Sequence, residues 1–213
     1  FAFVLGGLGQ ALLLIWADRV PHPVREGVFQ FISGISTTGW QTSNIGQWDW
    51  VSIAFIVFTG MFIGGASGST VGGIKVIRAL LITKGIRWQI SRAFLSRQTI
   101  QRVTFNGQSL RTEEMNEEFA RAASFAILFL LMLIGCTMLS MLFLDERFTF
   151  AHALFESTSA QATVGLSAGI TDPGMSPVVE VIYIFQMWAG RIEILPALVL
   201  FRAVFGGVKA RRI

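Results

Sequence analysis

Along the chain, long apolar stretches alternate with short polar breaks, and the same order of pieces occurs twice. Residues 1–17 are uncharged, enough for most of a helix crossing a bilayer core, which takes about 20 residues at roughly 1.5 Å each. The segment Asp18-Arg19-Val20-Pro21-His22-Pro23 ends it. The apolar piece at 27–36 is too short to cross, and Ser36-Thr37-Thr38-Gly39-Trp40 opens a polar loop. Residues 50–74 are again uncharged, but a run rich in Gly, Ser and Thr interrupts them at 64–73. A basic segment follows. Thr112 with Glu113, Glu114, Glu117 and Glu118 reads as an acidic first helical turn, and residues 122–144 form a second clean span. After Asp145-Glu146-Arg147 the order returns: a short piece at 148–161, a small-residue loop at 162–169, and an apolar stretch at 177–205. The pattern predicts helix, half-helix, loop, helix, performed twice.

An offset of 126 positions tests the duplication. It pairs Gly39 with Gly165, Thr37 with Thr163, Ser33 with Ser159 and Phe29 with Phe155, and in the next helix Ile56 with Ile182, Met61 with Met187 and Gly64 with Gly190. One ungapped register covers half-helix, loop and the helix behind them, which predicts an internal repeat.

Composition places these pieces in a membrane. Hydrophobic residues make up 53%, charged residues only 14%, and mean hydropathy is +0.61; soluble domains carry about 25% charged residues. The excess apolar surface must face lipid, as in an all-α integral membrane protein. Cys136, the one cysteine, lies in an apolar run, which excludes a disulfide framework and a cysteine metal site. His22 and His152 have no partners at metal-ligand spacing. No nucleophile–base constellation stands out, and the glycine-rich run lacks the phosphate-loop pattern. An enzyme is not expected.

The charge is unevenly placed. Between residues 66 and 112 lie Lys75, Arg78, Lys84, Arg87, Arg92, Arg97, Arg102 and Arg111 with no acidic residue, and Arg202, Lys209, Arg211 and Arg212 follow near the end. Flanking hydrophobic spans, they point to cytoplasmic segments by the positive-inside rule rather than to nucleic acid. Glu26, Asp49 and Asp172 are expected as solvated charges at the outer mouth, and Glu156 as a hydrogen-bond partner of nearby backbone. The expected layout is a first repeat at 1–83, a basic cytoplasmic linker at 84–118 and a second repeat at 119–213. The start at Phe1, inside an apolar run, suggests a chain that begins partway through a longer protein.

The loops are where chemistry is expected. Irregular backbone inside a bilayer is tolerated only when buried in protein or lining a water-filled path. A half-helix followed by Thr-x-Gly can replace a cation's hydration shell with carbonyls and hydroxyls. Neither loop core holds a carboxylate, which suits a large monovalent cation better than calcium.

Four segments resemble the Trk/Ktr/HKT superfamily of potassium transporters. Ser36-Thr37-Thr38-Gly39-Trp40 and Ala162-Thr163-Val164-Gly165-Leu166-Ser167 resemble its third and fourth filter segments, although position 40 is Trp where the family more often has Phe. Gly64-Gly65-Ala66-Ser67-Gly68-Ser69-Thr70-Val71-Gly72-Gly73 resembles the break in the second helix of its third repeat. Met187-Trp188-Ala189-Gly190-Arg191-Ile192-Glu193 is similar to its last pore helix.

The resemblance implies tandem helix–pore loop–helix repeats and potassium uptake across the plasma membrane. Potassium would bind at filter carbonyls of Thr37, Thr38, Thr163 and Val164, flanked by Ser36, Gly39, Ala162 and Gly165, with no other cofactor. Gly64, Gly65, Ser67, Gly68, Ser69, Thr70, Gly72 and Gly73 would form a gate loop, and Arg191 a positive barrier inside the pore; Glu193 would be structural. Partners implied are an N-terminal half carrying two further repeats, a second copy in a homodimer, membrane lipid, and a cytoplasmic nucleotide-binding regulatory subunit (TrkA/KtrA-like). A sodium-permeable or sodium-coupled version of the pore, and a non-conducting assembly module, are the rival readings.

Overall fold

The computed structural model describes residues 2–65, 71–94, 103–105, 108–110 and 112–192. Apart from two short strand pairings, the described elements are helical.

Helix α1 (Ala2–Ala17) is uncharged, and its outer face carries exposed Val4, Leu5, Leu8, Leu12 and Trp16. Asp18 closes it with φ 48°, and Pro23 starts α2 (Pro23–Ile35) at the first helical turn, where a missing N–H is harmless. The two helices pack so closely that a Cβ on Gly27 would lie 2.7 Å from the Ala11 backbone. Behind the first loop, Asp49 caps α3 (Trp50–Ile56) by accepting from Val51 N and Ser52 N. This helix loosens into a π turn (Val57–Met61) and stops.

The break expected at 64–73 therefore occurs. Its neck is a two-residue parallel pairing of β1 (Ile63–Gly64) with β2 (Ile74–Lys75), and α4 (Val76–Phe94) begins directly after it. The boundary drawn at 83/84 falls inside α4, so the first part of the basic segment is helical. Strands β3 (Val103–Phe105) and β4 (Gln108–Leu110) pair antiparallel.

Helix α5 (Thr112–Met141) starts at the predicted acidic turn. Within it, Asn116–Met141 contains an 18-residue window of mean hydropathy 2.4, the one stretch among the described residues long and apolar enough to cross a membrane. Then come α6 (Phe150–Gln161) and α7 (Pro177–Ile192). One core joins the two halves of the chain: Phe31 of α2, Ile53 and Ile56 of α3, Phe155 of α6, and Val164 and Leu166 of the second loop pack together. The short helices α2 and α6 thus end against a common centre.

Candidate functional site

Helices α2 and α6 finish in the same way, bond for bond. Thr37 N donates to Gly34 O at 3.2 Å and Thr38 N to Ser33 O at 3.0 Å; 126 positions later, Thr163 N donates to Ala160 O at 3.1 Å and Val164 N to Ser159 O at 2.8 Å. This is the Schellman ending, in which the residue after the cap turns left-handed. Glycine usually occupies that position. Here Thr37 and Thr163 do, at φ 51° and 57°. A β-branched residue in that region costs about 1–3 kcal/mol and persists only where its surroundings impose it. Two positions on, Gly39 and Gly165 are left-handed as well, at 75° and 92°.

The two turns meet. A Cβ built on Gly39 would lie 2.5 Å from the Val164 carbonyl oxygen and 3.2 Å from Gly165 Cα, and one on Gly165 would reach Gly39 Cα at 3.6 Å. The C-terminal carbonyl ends of both half-helices, which carry partial negative charge, converge on this junction. Ser36, Thr37, Thr38 and Gly39 therefore lie beside Ala162, Thr163, Val164 and Gly165.

Polar side chains brace each loop as it climbs away. Ser33 Oγ donates to Trp40 O at 2.7 Å, and its counterpart Ser159 Oγ accepts from Gly165 N at 3.1 Å. Buried Glu156 accepts from Ser167 Oγ at 2.8 Å, Ala168 N at 2.7 Å, and both Thr171 N and Thr171 Oγ1. Gln30 occupies the equivalent place on α2; in the orientation its backbone donors require, its amide oxygen accepts from Thr42 N at 2.6 Å and Ser43 N at 3.1 Å. Gln41 spans the gap between loops, donating to Ser167 O at 2.9 Å and accepting from Ser167 N at 3.0 Å.

The glycine-rich break reaches the second loop directly. Gly72 N donates to Thr163 Oγ1 at 3.0 Å, and a Cβ on Gly72 would lie 2.6 Å from the Ala162 carbonyl. Gly73 is left-handed at φ 77°. Gly64 abuts the Gly72 carbonyl, where no side chain fits. Ser67, Gly68, Ser69 and Thr70 of the expected gate lie outside the described residues, as does Glu193. Arg191, in the last turn of α7, lines a cavity of about 400 Å³ that also meets Thr163, Val164, Gly165, Glu156 and Met187.

The family described as TrkH, cation transport protein, matches residues 18–206. The chain belongs to the TrkH cation transport family. It is accordingly a membrane protein of a transporter family. Among its relatives, the Trk system potassium uptake protein TrkI of Halomonas elongata is 32% identical over 211 residues, covering 91% of this chain and 39% of that protein. A cation transporter of Methanocaldococcus jannaschii is 26% identical over 195 residues, covering 92% and 39%. The crystal structure of the potassium transporter TrkH from Vibrio parahaemolyticus superposes with a TM-score of 0.73 at 25% identity, covering 96% of this chain and 43% of that one. The chain spans about two fifths of the length of the relatives it matches.

In this TrkH-family chain, two sequence expectations about acidic residues need correction. Glu26 is buried in the first turn of α2, where it faces the positive end of the helix, rather than solvated. Asp49 is an N-cap rather than a free loop charge. Glu156 does bond backbone, as expected. Gln41 and Gln30 were missed, yet a signal existed: the repeat offset pairs Gln41 with Ser167 and Gln30 with Glu156, polar residues in matching places.

Proposed function

We propose that this chain supplies half of the wall of a potassium-selective pore, with its two loops as third and fourth members of a four-part filter. The observation that carries the reading is the twin left-handed Thr-x-Gly turn, 126 residues apart, meeting at Gly39 and Gly165. A backbone that alternates in this way at the carbonyl end of a half-helix suits dehydrated cation binding without carboxylates. Each set α1–α2–loop–α3 and α5–α6–loop–α7 then acts as a helix–pore loop–helix repeat. Carbonyls of Thr37, Thr38, Thr163 and Val164 would ligate the ion. The names of the relatives, which specify potassium uptake, favour potassium over sodium.

Gating would act at the break: Gly72 holds Thr163 from one side, and Gly64, Gly65 and Gly73 give the neck its freedom. Arg191 would oppose cations on the path below. The basic segment and the C-terminal end would be cytoplasmic in the plasma membrane. The rest of the pore would come from an N-terminal half, the working unit would be a homodimer, and a nucleotide-binding regulatory subunit would dock on the basic face.

Rubidium uptake into liposomes holding the full-length protein tests this, with Gly39→Ser and Gly165→Ser beside it. Uptake with sodium excluded, and weakened selectivity in both variants, supports the reading. Equal sodium uptake would favour the sodium version. No uptake would favour a non-conducting module.

A further inference from the structure

Glu156 and Gln30 occupy the same position in the two halves of the chain and perform the same task with different charge. Glu156 is 3% exposed and Gln30 is fully buried. Each reaches from its half-helix to the rising arm of its loop, and the backbone N–H each takes is the same one: Ala168 is the counterpart of Thr42 at the 126-residue offset. Four donors converge on the Glu156 carboxyl group, two backbone N–H groups and two hydroxyls, which matches the acceptor-only capacity of a carboxylate. All four are neutral, so these donors spread its charge without cancelling it; the Arg191 guanidinium lines the same cavity. Bracing alone does not require that charge, since Gln30 braces with an amide.

We propose that Glu156 is a positioning residue whose fixed negative charge, held behind the second loop, raises that loop's affinity for the permeating cation and leaves the two loops unequal. The inference rests on the reading of the loops as cation ligands. Glu156 lines the same cavity as Thr163, Val164 and Gly165. Across one cavity walled by protein, a unit charge acts on a cation more strongly than it would in bulk water. The first loop, held by Gln30, lacks that contribution. The ion would dwell nearer the Thr163–Val164 side of the junction.

The test separates charge from bracing. Full-length protein in liposomes is assayed for rubidium uptake across a range of rubidium concentrations, as wild type, Glu156→Gln, Gln30→Glu and Glu156→Ala. Glu156→Gln keeps the shape and most of the hydrogen bonds but removes the charge. It is expected to raise the half-saturating rubidium concentration on the order of tenfold, with a smaller change in maximal rate. Gln30→Glu is expected to lower it. Glu156→Ala, losing the brace as well, should lose selectivity against sodium. Wild-type half-saturation in both Glu156→Gln and Gln30→Glu would overturn the inference while leaving the transport reading intact. Absence of uptake by the wild type would remove both. If Glu156→Gln fails to fold, Gln30→Glu decides alone: an unchanged half-saturation overturns the proposal.

Discussion

Gln41 and Ser167, 126 positions apart and equivalent in the two halves of the chain, are joined to each other by a pair of hydrogen bonds. The Gln41 amide donates to Ser167 O at 2.9 Å and accepts from Ser167 N at 3.0 Å, so one side chain pairs with both backbone groups of its own counterpart. Ser167 is in turn held by Glu156 through its hydroxyl. A chain of polar contacts therefore runs from the first loop through the second to α6.

Cutting that link should loosen the junction. Gln41→Leu removes three hydrogen bonds, the two to Ser167 and one to Ser43 O, each worth no more than about 0.5–1.5 kcal/mol at this exposed site. Thermal unfolding of the full-length protein in detergent should show a lower midpoint. Rubidium-over-sodium selectivity should fall with it, whereas Gln41→Glu, which keeps an acceptor for Ser167 N, should fall less.

Thr163 belongs to the second loop and also holds the break. Thr163→Val keeps the shape but leaves Gly72 N without its acceptor, a loss of about 1–3 kcal/mol at this part-buried contact. The expected outcome is a higher basal rubidium flux because the loop is released more easily. Thr163→Ser, which retains the hydroxyl, should stay near wild type. Equal flux in both variants would detach the break from the filter.

Glycines offer an internal contrast. Gly190 abuts the Gln161 carbonyl, and a Cβ there has no room; Gly190→Ala should destabilise by about 1–3 kcal/mol or more through overpacking. Gly135, exposed in the middle of α5, has nothing within 4 Å of its would-be Cβ. Gly135→Ala should be neutral or stabilising by up to about 1 kcal/mol. Unfolding midpoints of the two variants, measured side by side, check both.

Arg191 lines the same cavity as Thr163, Val164 and Gly165, and on the proposed reading its charge repels passing cations. Arg191→Ala is expected to raise rubidium flux severalfold, with Arg191→Lys close to wild type. A flux that falls, or does not move, would take Arg191 out of the permeation path.

Much of this was legible because it is local. The ends of α2 and α6, the break after α3 and the start of α5 at Thr112 all follow from short-range chemistry: small residues after an apolar run, glycines in series, carboxylates in a first turn. The repeat offset also carried over to the hydrogen bonds, since equal sequences in equal places close equal turns. Other features depended on distant partners. Nothing near Gly72 announces that its N–H will meet Thr163, 91 residues away. The π turn at 57–61 carries no proline or charge to mark it. Helix α4 is masked in the sequence by its basic residues, although Lys84 and Arg87 stand at helical spacing. Duplicated positions have also diverged in setting: Phe155 is fully buried in the shared core, while Phe29 is 40% exposed.

The most direct test is to locate the ion. Crystals of the full-length protein grown in rubidium should give an anomalous peak at the junction of Gly39 and Gly165, within ligating distance of the carbonyl oxygens of Thr37, Thr38, Thr163 and Val164. A peak placed elsewhere along the path, with that junction empty, would contradict the account.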